Sequence, residues 1–245
     1  MTDWSNYGAG LNAAVIGASG GIGQALVKAL AADKAVASIL ACSRSGEIFK
    51  SAKVRTTKLD LEDEASIKAA ADTLSDPLHL VIVATGILHD GDLQPEKSWR
   101  QLDAQALAQI FEINTIGPAL AAKHFLPKLD RDRRSAFAAL SARVGSISDN
   151  RLGGWYGYRA SKAALNMILK SAAIELARRN TQGLCIGLHP GTVDTGLSEP
   201  FQRGVPEEKL FSPERAASQL LDVIAARSPD DSGEVFAWDG TKVPA

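Results

Sequence analysis

The chain has 245 residues, of which 45% are hydrophobic and 22% charged, the balance of a globular protein with a substantial core. Its net charge of −1 argues against a surface dedicated to nucleic acid or to anionic membranes. The polar residues 1–10 and the lack of an apolar run of about 18 residues argue against a secretory signal and a membrane span. Cys42 and Cys185 each lie in an apolar run, and two distant cysteines do not form a disulfide framework. A cytoplasmic, reducing setting is therefore expected.

Apolar runs of strand length alternate with segments of helical period along the whole chain. The predicted strands are 13–16, 36–42, 54–59, 78–84, 135–140, 184–188 and 234–237. The predicted helices are 21–32, 62–74, 101–125, 156–179 and 213–226, the last with Ser212 as its N-cap. This alternation is typical of a parallel sheet covered on both faces.

We therefore predict an α/β fold, a Rossmann-like doubly wound parallel sheet of about seven strands with helices on both faces. No internal repeat or linker divides the chain, so residues 1–245 are predicted to form one domain. The irregular stretch 196–210 is a candidate substrate flap.

A glycine-rich turn joins the first predicted strand to the first predicted helix. It reads Gly17-Ala18-Ser19-Gly20-Gly21-Ile22-Gly23. Glycine permits the tight turn and lets the backbone approach a pyrophosphate, while the helix N-terminus offers free N–H groups and a positive dipole. The alternative is a glycine turn without a ligand.

The Gly-x-x-x-Gly-x-Gly spacing resembles the first turn of the short-chain dehydrogenase/reductase family, and the resemblance continues in family order through nearly the whole chain. It implies a cofactor-binding domain in which Gly17, Ser19, Gly21, Ile22 and Gly23 meet the pyrophosphate of a nicotinamide dinucleotide.

The end of the second strand bears on the choice of cofactor. NAD-binding relatives place an acidic residue there, where it accepts from the ribose 2′-hydroxyl, whereas this chain has Ser43 and Arg44. A hydroxyl and a guanidinium bind a 2′-phosphate that a carboxylate would repel. We predict NADP(H), with NAD(H) as the alternative cofactor and a plain surface arginine as the alternative interpretation of Arg44.

Two further segments resemble cofactor-binding parts of the family. Asp60 and Leu61, after the third strand, match its adenine-binding pair, although Asp60 is also a candidate cap for the helix predicted from Glu62. The sequence Val83-Ala84-Thr85-Gly86 stands where the family has Asn-Asn-Ala-Gly. Only Gly86 agrees, so the stabilising role of an asparagine is missing there.

An asparagine and a serine are the next candidates along the chain. Asn114 is mildly unfavourable in mid-helix; the resemblance implies a local kink and a bound water that links the lysine to solvent, and a locally bonded polar residue is the alternative. The family ends its fifth strand with two serines, of which the second orients the substrate carbonyl. Here Ala142 stands in the second place, so Ser141 is assigned, with Ser146 and Ser148 as alternatives.

Tyr158 and Lys162 are the predicted proton-transfer pair. Their spacing of four puts both on one helix face. A neighbouring cation is expected to lower the pKa of a phenol, which suits a general acid. The resemblance implies that Lys162 also holds the nicotinamide ribose. Trp155, shortly before, is assigned to the substrate entrance, with core packing as an equal alternative.

The last motif is His189-Pro190-Gly191-Thr192-Val193-Asp194-Thr195. It resembles the family's Pro-Gly-x-Val-x-Thr, which implies that Val193 and Thr195 meet the nicotinamide carboxamide or the phosphate. The four histidines show no metal-ligand spacing, and we expect no metal.

The leading hypothesis is an NADPH-dependent reductase of a small carbonyl compound, or a dehydrogenase of the matching alcohol. Residues 141–150 and 236–240 resemble the C-factor and sniffer-like branch of the family. That branch opens an alternative, a cofactor-binding signalling protein with little turnover. A nucleotide-sugar epimerase is disfavoured because the chain lacks a larger C-terminal domain. The resemblance also implies a homodimer or homotetramer formed through the two long helices.

Overall fold

The computed structural model describes residues 2–46 and 49–245; Met1, Glu47 and Ile48, which the predicted domain 1–245 includes, lie outside the described residues. Within these ranges seven parallel strands form one sheet in the order β3-β2-β1-β4-β5-β6-β9, and β7 pairs with β8 separately. The strands are β1 (Leu11–Ile16), β2 (Val36–Ser43), β3 (Val54–Lys58), β4 (Leu80–Val83), β5 (Ser135–Leu140), β6 (Gly183–His189), β7 (Thr192–Val193), β8 (Leu210–Phe211) and β9 (Val235–Ala237).

Helices cover both faces of the seven-stranded sheet. They are α1 (Gly21–Ala32), α2 (Glu64–Asp72), α3 (Ala104–Phe111), α4 (Gly117–Phe125), α5 (Tyr156–Ala177) and α6 (Pro213–Ala226), with short 3₁₀ turns at Trp99–Gln101, Leu126–Lys128, Arg143–Gly145, Glu199–Phe201, Glu207–Lys209 and Pro229–Asp231. Ser212 caps α6, where its hydroxyl accepts from the Arg215 amide at 3.2 Å. The predicted doubly wound α/β fold with about seven strands is confirmed.

Successive strand residues point to opposite faces, so two apolar layers form. On one face Val15 and Leu188 pack with Leu26 of α1 and Leu220 of α6. On the other face the side chains of Val81 and Phe137 pack with residues of α2, α4 and α5, such as Ile67, Phe125 and Leu169. Burial of an aliphatic side chain contributes about 1.5–3 kcal/mol, so these layers hold the sheet and its loops in fixed register.

The carboxyl ends of the strands position the site. The chain winds outward from β1 to β2 and β3 on one side and from β4 to β9 on the other. In such sheets the loops on the two sides of the reversal diverge and leave a crevice. The loops that follow β1 to β6 carry most of the residues predicted to bind the cofactor, and a π-helical turn and α5 carry Asn114, Tyr158 and Lys162.

The predicted helix 101–125 begins later, at Ala104, and is not α-helical throughout. The segment consists of α3, a π-helical turn at Glu112–Ile116, and α4. Within the turn the Gly117 amide donates to the carbonyl of Glu112, five residues earlier. Pro118 has no N–H for the carbonyl of Asn114, which lies four residues before it. The α-helical hydrogen-bond pattern is therefore interrupted at Asn114, the position where the resemblance implies a local kink.

Candidate active site

The turn after β1 has no room for a side chain at two of its positions, Gly17 and Gly23. Gly17 has a φ of +89°, and a Cβ there would lie 2.9 Å from the carbonyl oxygen of Ala84. A Cβ on Gly23 would lie 2.0 Å from the carbonyl oxygen of Gly17. The turn thus closes against the first turn of α1, and the N-terminus of that helix faces the crevice.

A first cavity of about 420 Å³ extends from this turn across the ends of β1–β4. The residues predicted for the pyrophosphate and adenosine that line it are Gly17, Ser19, Ser43, Arg44, Asp60, Leu61 and Gly86. Among the described lining residues, Arg44 is the only lysine or arginine, and its side chain is exposed. The cavity therefore offers one cation near β2.

Asp60 has a different local role from the cap considered for it. Its carboxylate accepts from the amide of Glu62 at 3.2 Å, whereas α2 begins at Glu64 and is capped by Asp63, which accepts from Ala65 at 3.0 Å. The predicted helix start at Glu62 is wrong because Asp63 takes the capping position two residues later. Asp60 stays at the cavity wall.

A second cavity of about 280 Å³ continues from the first toward β5 and α5. Tyr158 and Lys162 both line it and are 9% and 2% exposed. The ammonium lies 5.9 Å from the centre of the phenol ring and donates to the carbonyl of Leu140 at 2.8 Å. Gly86 lies opposite, where a Cβ would come within 3.4 Å of the ammonium nitrogen.

Burial governs the protonation of this pair. It raises the pKa of the Tyr158 phenol to about 12 and lowers that of the Lys162 ammonium to about 8. The predicted lowering of the Tyr158 pKa by Lys162 is therefore not found in the chain alone, where removal of the phenolate from water is the cause of the shift. Tyr158 is fully protonated at neutral pH, as a proton donor must be.

Asn114 ties three segments together from within the π-helical turn. It is fully buried, its Oδ1 accepts from the Ile87 amide at 2.8 Å, and its Nδ2 donates to the Ile87 carbonyl at 2.8 Å and to Ser161 Oγ at 3.1 Å. Thr115 donates to the Ser161 carbonyl at 2.8 Å. The loop after β4, the π-helical turn and α5 are thus joined beside Lys162.

The three serine candidates have different surroundings. Ser141 lines the second cavity, but its hydroxyl donates to Oδ1 of Asn166 on α5 at 2.6 Å. Ser146 and Ser148 instead donate to the main-chain oxygen of Ala245. Of the three candidates, Ser141 is the one that lines the same cavities as Tyr158, and its role stays a prediction.

A third cavity of about 220 Å³ opens beyond Tyr158. Its walls are largely apolar and include Leu88, Ala142, Val144, Trp155, Leu197 and Phe201. Trp155 makes edge contacts with the rings of Tyr158 at 6.2 Å and Phe201 at 5.1 Å. Both interpretations of Trp155 therefore apply, since it packs in a small cluster and lines the cavity.

Val193 and Thr195 lie after β6, as predicted from the motif. Val193 is buried in β7 and lines the third cavity, and Thr195 lines both the second and the third. The Thr195 methyl would be 2.6 Å from a Cβ on Gly21, which brings this loop against the glycine turn. The predicted flap 196–210 contributes Leu197, Phe201 and Val205 to the cavity walls.

Glu96 supports the catalytic helix, although no motif singled it out. Trp155 precedes α5 with φ +49° and gives no side-chain cap. The buried Glu96 accepts from the Gly157 amide at 3.1 Å, and its own carbonyl accepts from the Trp155 amide at 2.5 Å. A carboxylate is favourable at a helix N-terminus, but a partner 61 residues away leaves no local sequence signal.

The cavities carry features that fit a nicotinamide dinucleotide. Gly20 and Gly21 are exposed at the N-terminus of α1. Gly17 and Gly23 allow the tight turn before it, since a Cβ at either would collide with other backbone atoms. Thr85 Oγ1, at the wall of the first two cavities, is buried without a hydrogen-bond partner. A buried polar group without a partner costs about 1–3 kcal/mol, so a ligand that hydrogen-bonds there gains by doing so.

The comparison with protein families decides the classification. The family model described as short chain dehydrogenase matches residues 11–205. The chain belongs to the short-chain dehydrogenase family. A relative similar to it is the 1-hydroxy-2-glutathionyl-2-methyl-3-butene dehydrogenase of Rhodococcus sp. (strain AD45), with 31% identity over 93% of this chain and 96% of that protein.

Two further similarities concern the predicted branch of the family. The C-signal protein of Myxococcus xanthus is 36% identical over 58% of this short-chain dehydrogenase and 81% of that protein. In fold, the chain is similar to the NADPH-bound carbonyl reductase from chicken fatty liver, with a TM-score of 0.84 at 24% identity over 99% and 97% of the two chains. It is also similar to the carbonyl reductase Sniffer of D. melanogaster, with a TM-score of 0.83 at 23% identity over 96% and 100%. The C-signal protein supports the predicted resemblance to the C-factor branch of the family, and the two carbonyl reductases share the fold of this chain.

Two features are absent from the described part of this short-chain dehydrogenase, a metal-binding cluster and a membrane-spanning helix. No group of three or more histidine, cysteine, aspartate or glutamate side chains in residues 2–46 and 49–245 could hold a metal ion. Across the same residues, no helix has both the length and the apolar character to span a bilayer.

Replacing Lys162 with methionine in this short-chain dehydrogenase is expected to stabilise the fold by roughly 1–3 kcal/mol below about pH 8. The reason is that methionine removes the cost of a buried charge, offset by the lost bond to Leu140. The unfolded chain holds the lysine proton up to its ordinary pKa of 10.5, whereas the folded chain releases it near 8. Between these values the wild-type protein becomes more stable as the pH rises.

The advantage of methionine should therefore shrink between about pH 8 and 10.5, as followed by chemical denaturation across that range. Lys28→Met, at an exposed position on α1, is the control and should show no such trend. An advantage of Lys162→Met that stays constant with pH would contradict the role given to the buried charge.

Proposed function

We propose that this chain is an NADP(H)-dependent oxidoreductase that reduces a small aldehyde or ketone, or oxidises the corresponding alcohol. The observation that carries the proposal is the position of Tyr158. Its phenol and Lys162 line the second cavity, next to the glycine turn, and Tyr158 also lines the apolar third cavity. One ionisable pair therefore adjoins both a candidate cofactor site and a candidate substrate site.

The residues supply proton transfer and positioning. Bound NADPH would supply the hydride that goes to the carbonyl carbon. Tyr158 gives its proton to the carbonyl oxygen, and a pKa of about 12 in the chain alone keeps the phenol protonated until then. Lys162, near the ring at 5.9 Å, stabilises the phenolate that remains, and Asn114 holds the loop and helix around it.

The proposed preference for NADP(H) rests on the two residues at the end of β2 rather than on the first cavity as a whole, whose lining also includes Asp60, Glu62 and Asp90. Ser43 is buried at the end of β2 and Arg44 stands beside it, where a 2′-phosphate would meet a hydroxyl and a guanidinium. The similar chicken carbonyl reductase was solved with NADPH, in agreement with this proposal. NAD(H) remains the alternative cofactor.

Arg44→Ala is expected to raise the KM for NADPH by roughly 10- to 100-fold, because charge-assisted hydrogen bonds contribute about 1.5–3 kcal/mol. The KM for NADH should change by less than about twofold, since NADH lacks the phosphate. Steady-state kinetics with both cofactors measures the ratio. Arg178→Ala, at an exposed position beyond the end of α5, is the matched control, and an equal rise with both cofactors would refute the phosphate contact.

The proposed activity is tested by NADPH consumption with a panel of aldehydes, ketones and quinones. The apolar walls of the third cavity favour small, uncharged substrates. A second candidate, a cofactor-binding signalling protein with little turnover, is favoured by the similarity to the C-signal protein. If NADPH binds and every carbonyl is inert, the second candidate replaces the first.

We propose a homodimer or homotetramer that assembles through α4 and α5. Met167 and Ile174 on α5 are 67% and 52% exposed, and a groove of about 560 Å³ runs between the two helices. Sedimentation velocity should give about two or four times the chain mass of 25.9 kDa, and Met167→Glu should lower it. Leu152→Glu, exposed elsewhere, is the control; a monomeric wild-type protein contradicts the proposal.

A reducing compartment such as the cytoplasm is part of the same proposal. Cys42 and Cys185 are free and buried, and burial raises the pKa of both thiols to about 12. Such thiols act as small apolar side chains.

A further inference from the structure

The third cavity offers few hydrogen-bond donors to a ligand beside the phenol. Ala142 supplies only a methyl group where the family has its second serine. Ser141 gives its one hydroxyl proton to Asn166, and Ser198 donates to the main-chain oxygen of Val193. The hydroxyls of the two serines that line this cavity are therefore committed elsewhere.

Arg143 and Thr192, which also line the third cavity, are poor candidates to replace the missing serine. The Arg143 side chain is 56% exposed, and its Nε donates to Asp149 at 2.6 Å. Thr192 is half-buried, and its hydroxyl is not among the buried polar atoms that lack a partner in the described part of the chain. Neither residue has an unmet hydrogen-bonding need that a substrate would satisfy.

His189 is half-buried like Thr192, but one of its ring nitrogens is shielded from water and has no hydrogen-bond partner among the described residues. It ends β6 and lines the third cavity with Tyr158. The Ser141 amide donates to the Leu188 carbonyl at 2.8 Å, so the chain after β5 runs beside His189. Of the two ring nitrogens, Nδ1 is the one that is buried and unpaired.

The ring is neutral and its proton can be assigned. Burial lowers the pKa of His189 to about 4, helped by the charge of Arg143 and opposed by Asp239, so the ring carries one proton at neutral pH. A buried N–H without an acceptor is rarer and more costly than a bare lone pair. We therefore assign the proton to Nε2, the nitrogen that keeps access to the cavity.

Carbonyl reduction needs a second donor at the reacting oxygen. Negative charge develops there as hydride reaches the carbon, and a preorganised donor lowers the barrier. We propose that His189 donates a hydrogen bond from Nε2 to the reacting oxygen of the substrate, in place of the serine absent at position 142. The inference rests on the proposed function.

The chemical balance of the step is unchanged by this donor. Hydride from NADPH forms the new C–H bond, and the O–H bond of Tyr158 breaks to protonate the oxygen. His189 keeps its proton and orients the oxygen by a hydrogen bond alone. A neutral ring is suited to this task, because an imidazolium would offer a competing acid.

The test uses a pair of substitutions that separate a donor from packing. His189→Phe retains a ring but no N–H, whereas the side-chain amide of His189→Gln carries an N–H at about the reach of Nε2. We expect His189→Phe to lower kcat for carbonyl reduction by roughly 100- to 1,000-fold and His189→Gln by less than about tenfold. The NADPH dissociation constant and Tm are measured for both and should stay near the wild-type values.

Two comparison variants address the competing hydroxyls. Thr192→Val should lower kcat by less than about threefold, and Ser141→Ala, which removes the competing candidate donor, should lower kcat by less than His189→Phe does. A larger loss in either of them than in His189→Phe overturns the assignment, and so does a His189→Phe enzyme whose only change is in the KM of the carbonyl. His189→Phe is also combined with Ala142→Ser, which restores the family's hydroxyl and should recover at least about tenfold in kcat.

Failure of this inference is distinguishable from failure of the proposed function. A wild-type protein that binds NADPH but reduces no carbonyl refutes both the proposed reductase activity and the role of His189. A wild-type reductase whose kcat survives His189→Phe removes only the role of His189. If His189→Phe does not fold, an inactive His189→Gln with wild-type Tm and NADPH affinity refutes the proposal, because that variant retains a donor.

Discussion

Replacing Tyr158 with phenylalanine is expected to lower kcat for carbonyl reduction by about 10³-fold and to leave the affinity for NADPH within about twofold. General acid catalysis is worth about 10²–10⁴-fold, and the phenol is the candidate acid at the junction of the second and third cavities. The lost hydroxyl is small and the ring stays packed against Leu88 and Ala142. Stopped-flow or steady-state consumption of NADPH gives kcat, and fluorescence titration gives the affinity.

Tyr156→Phe is the matched control, because Tyr156 lies two residues earlier on the same helix and lines none of the three cavities. It should change kcat by less than about twofold. A Tyr158→Phe enzyme with more than a tenth of the wild-type kcat would remove Tyr158 from the proton-transfer step and leave the cofactor assignment untouched.

Gly23→Ala has the second large expected effect, on the fold and the cofactor site together. The new methyl carbon would lie 2.0 Å from the carbonyl oxygen of Gly17 and 3.1 Å from the Cα of Ala18, and backbone cannot move aside as a side chain can. Overpacking against side chains costs about 1–3 kcal/mol, and a collision with backbone exceeds that range. We expect a lower Tm by thermal denaturation and no measurable NADPH binding.

Gly20→Ala is the control within the same turn. Its φ is −74°, and the nearest atom to an added Cβ is 3.5 Å away, an ordinary contact. Its Tm should therefore stay close to that of the wild-type protein. If both substitutions are equally harmful, the close approach of α1 to Gly17 does not explain the requirement for glycine.

The sequence predicted the sheet, its covering helices and most of their ends because periodicity is a local signal. Helix α1 and strand β5 have the predicted limits, and Ser212 caps α6 as its side chain suggests. The break at Asn114 was implied only by the resemblance, although Pro118 four residues later gives a physical reason for it. Helix α2 begins at Glu64, after its cap Asp63, and not at Glu62, an error of two residues typical of helix ends.

The site was predicted less fully because part of it depends on contacts that are distant in sequence. Tyr158, Lys162 and Asn114 could be named from motifs, and the structure brings them together around Ser161 and Ile87. The support from Glu96 and the unpaired ring of His189 arise from tertiary packing, which no local pattern records. The pKa of Tyr158 was misjudged for the same reason, since its shift comes from enclosure rather than from its neighbour in the helix.

The ties made by Asn114 have a consequence for how the protein comes apart. Ile87 is held at both its amide and its carbonyl by one side chain, which also reaches α5. None of these segments can open without breaking bonds in the others, so they form one cooperative unit rather than three mobile loops. As the protein is heated, the geometry around Asn114 should therefore persist until the whole unit unfolds. Any gradual loss of activity at lower temperature should instead begin in the walls of the third cavity, which are held less firmly.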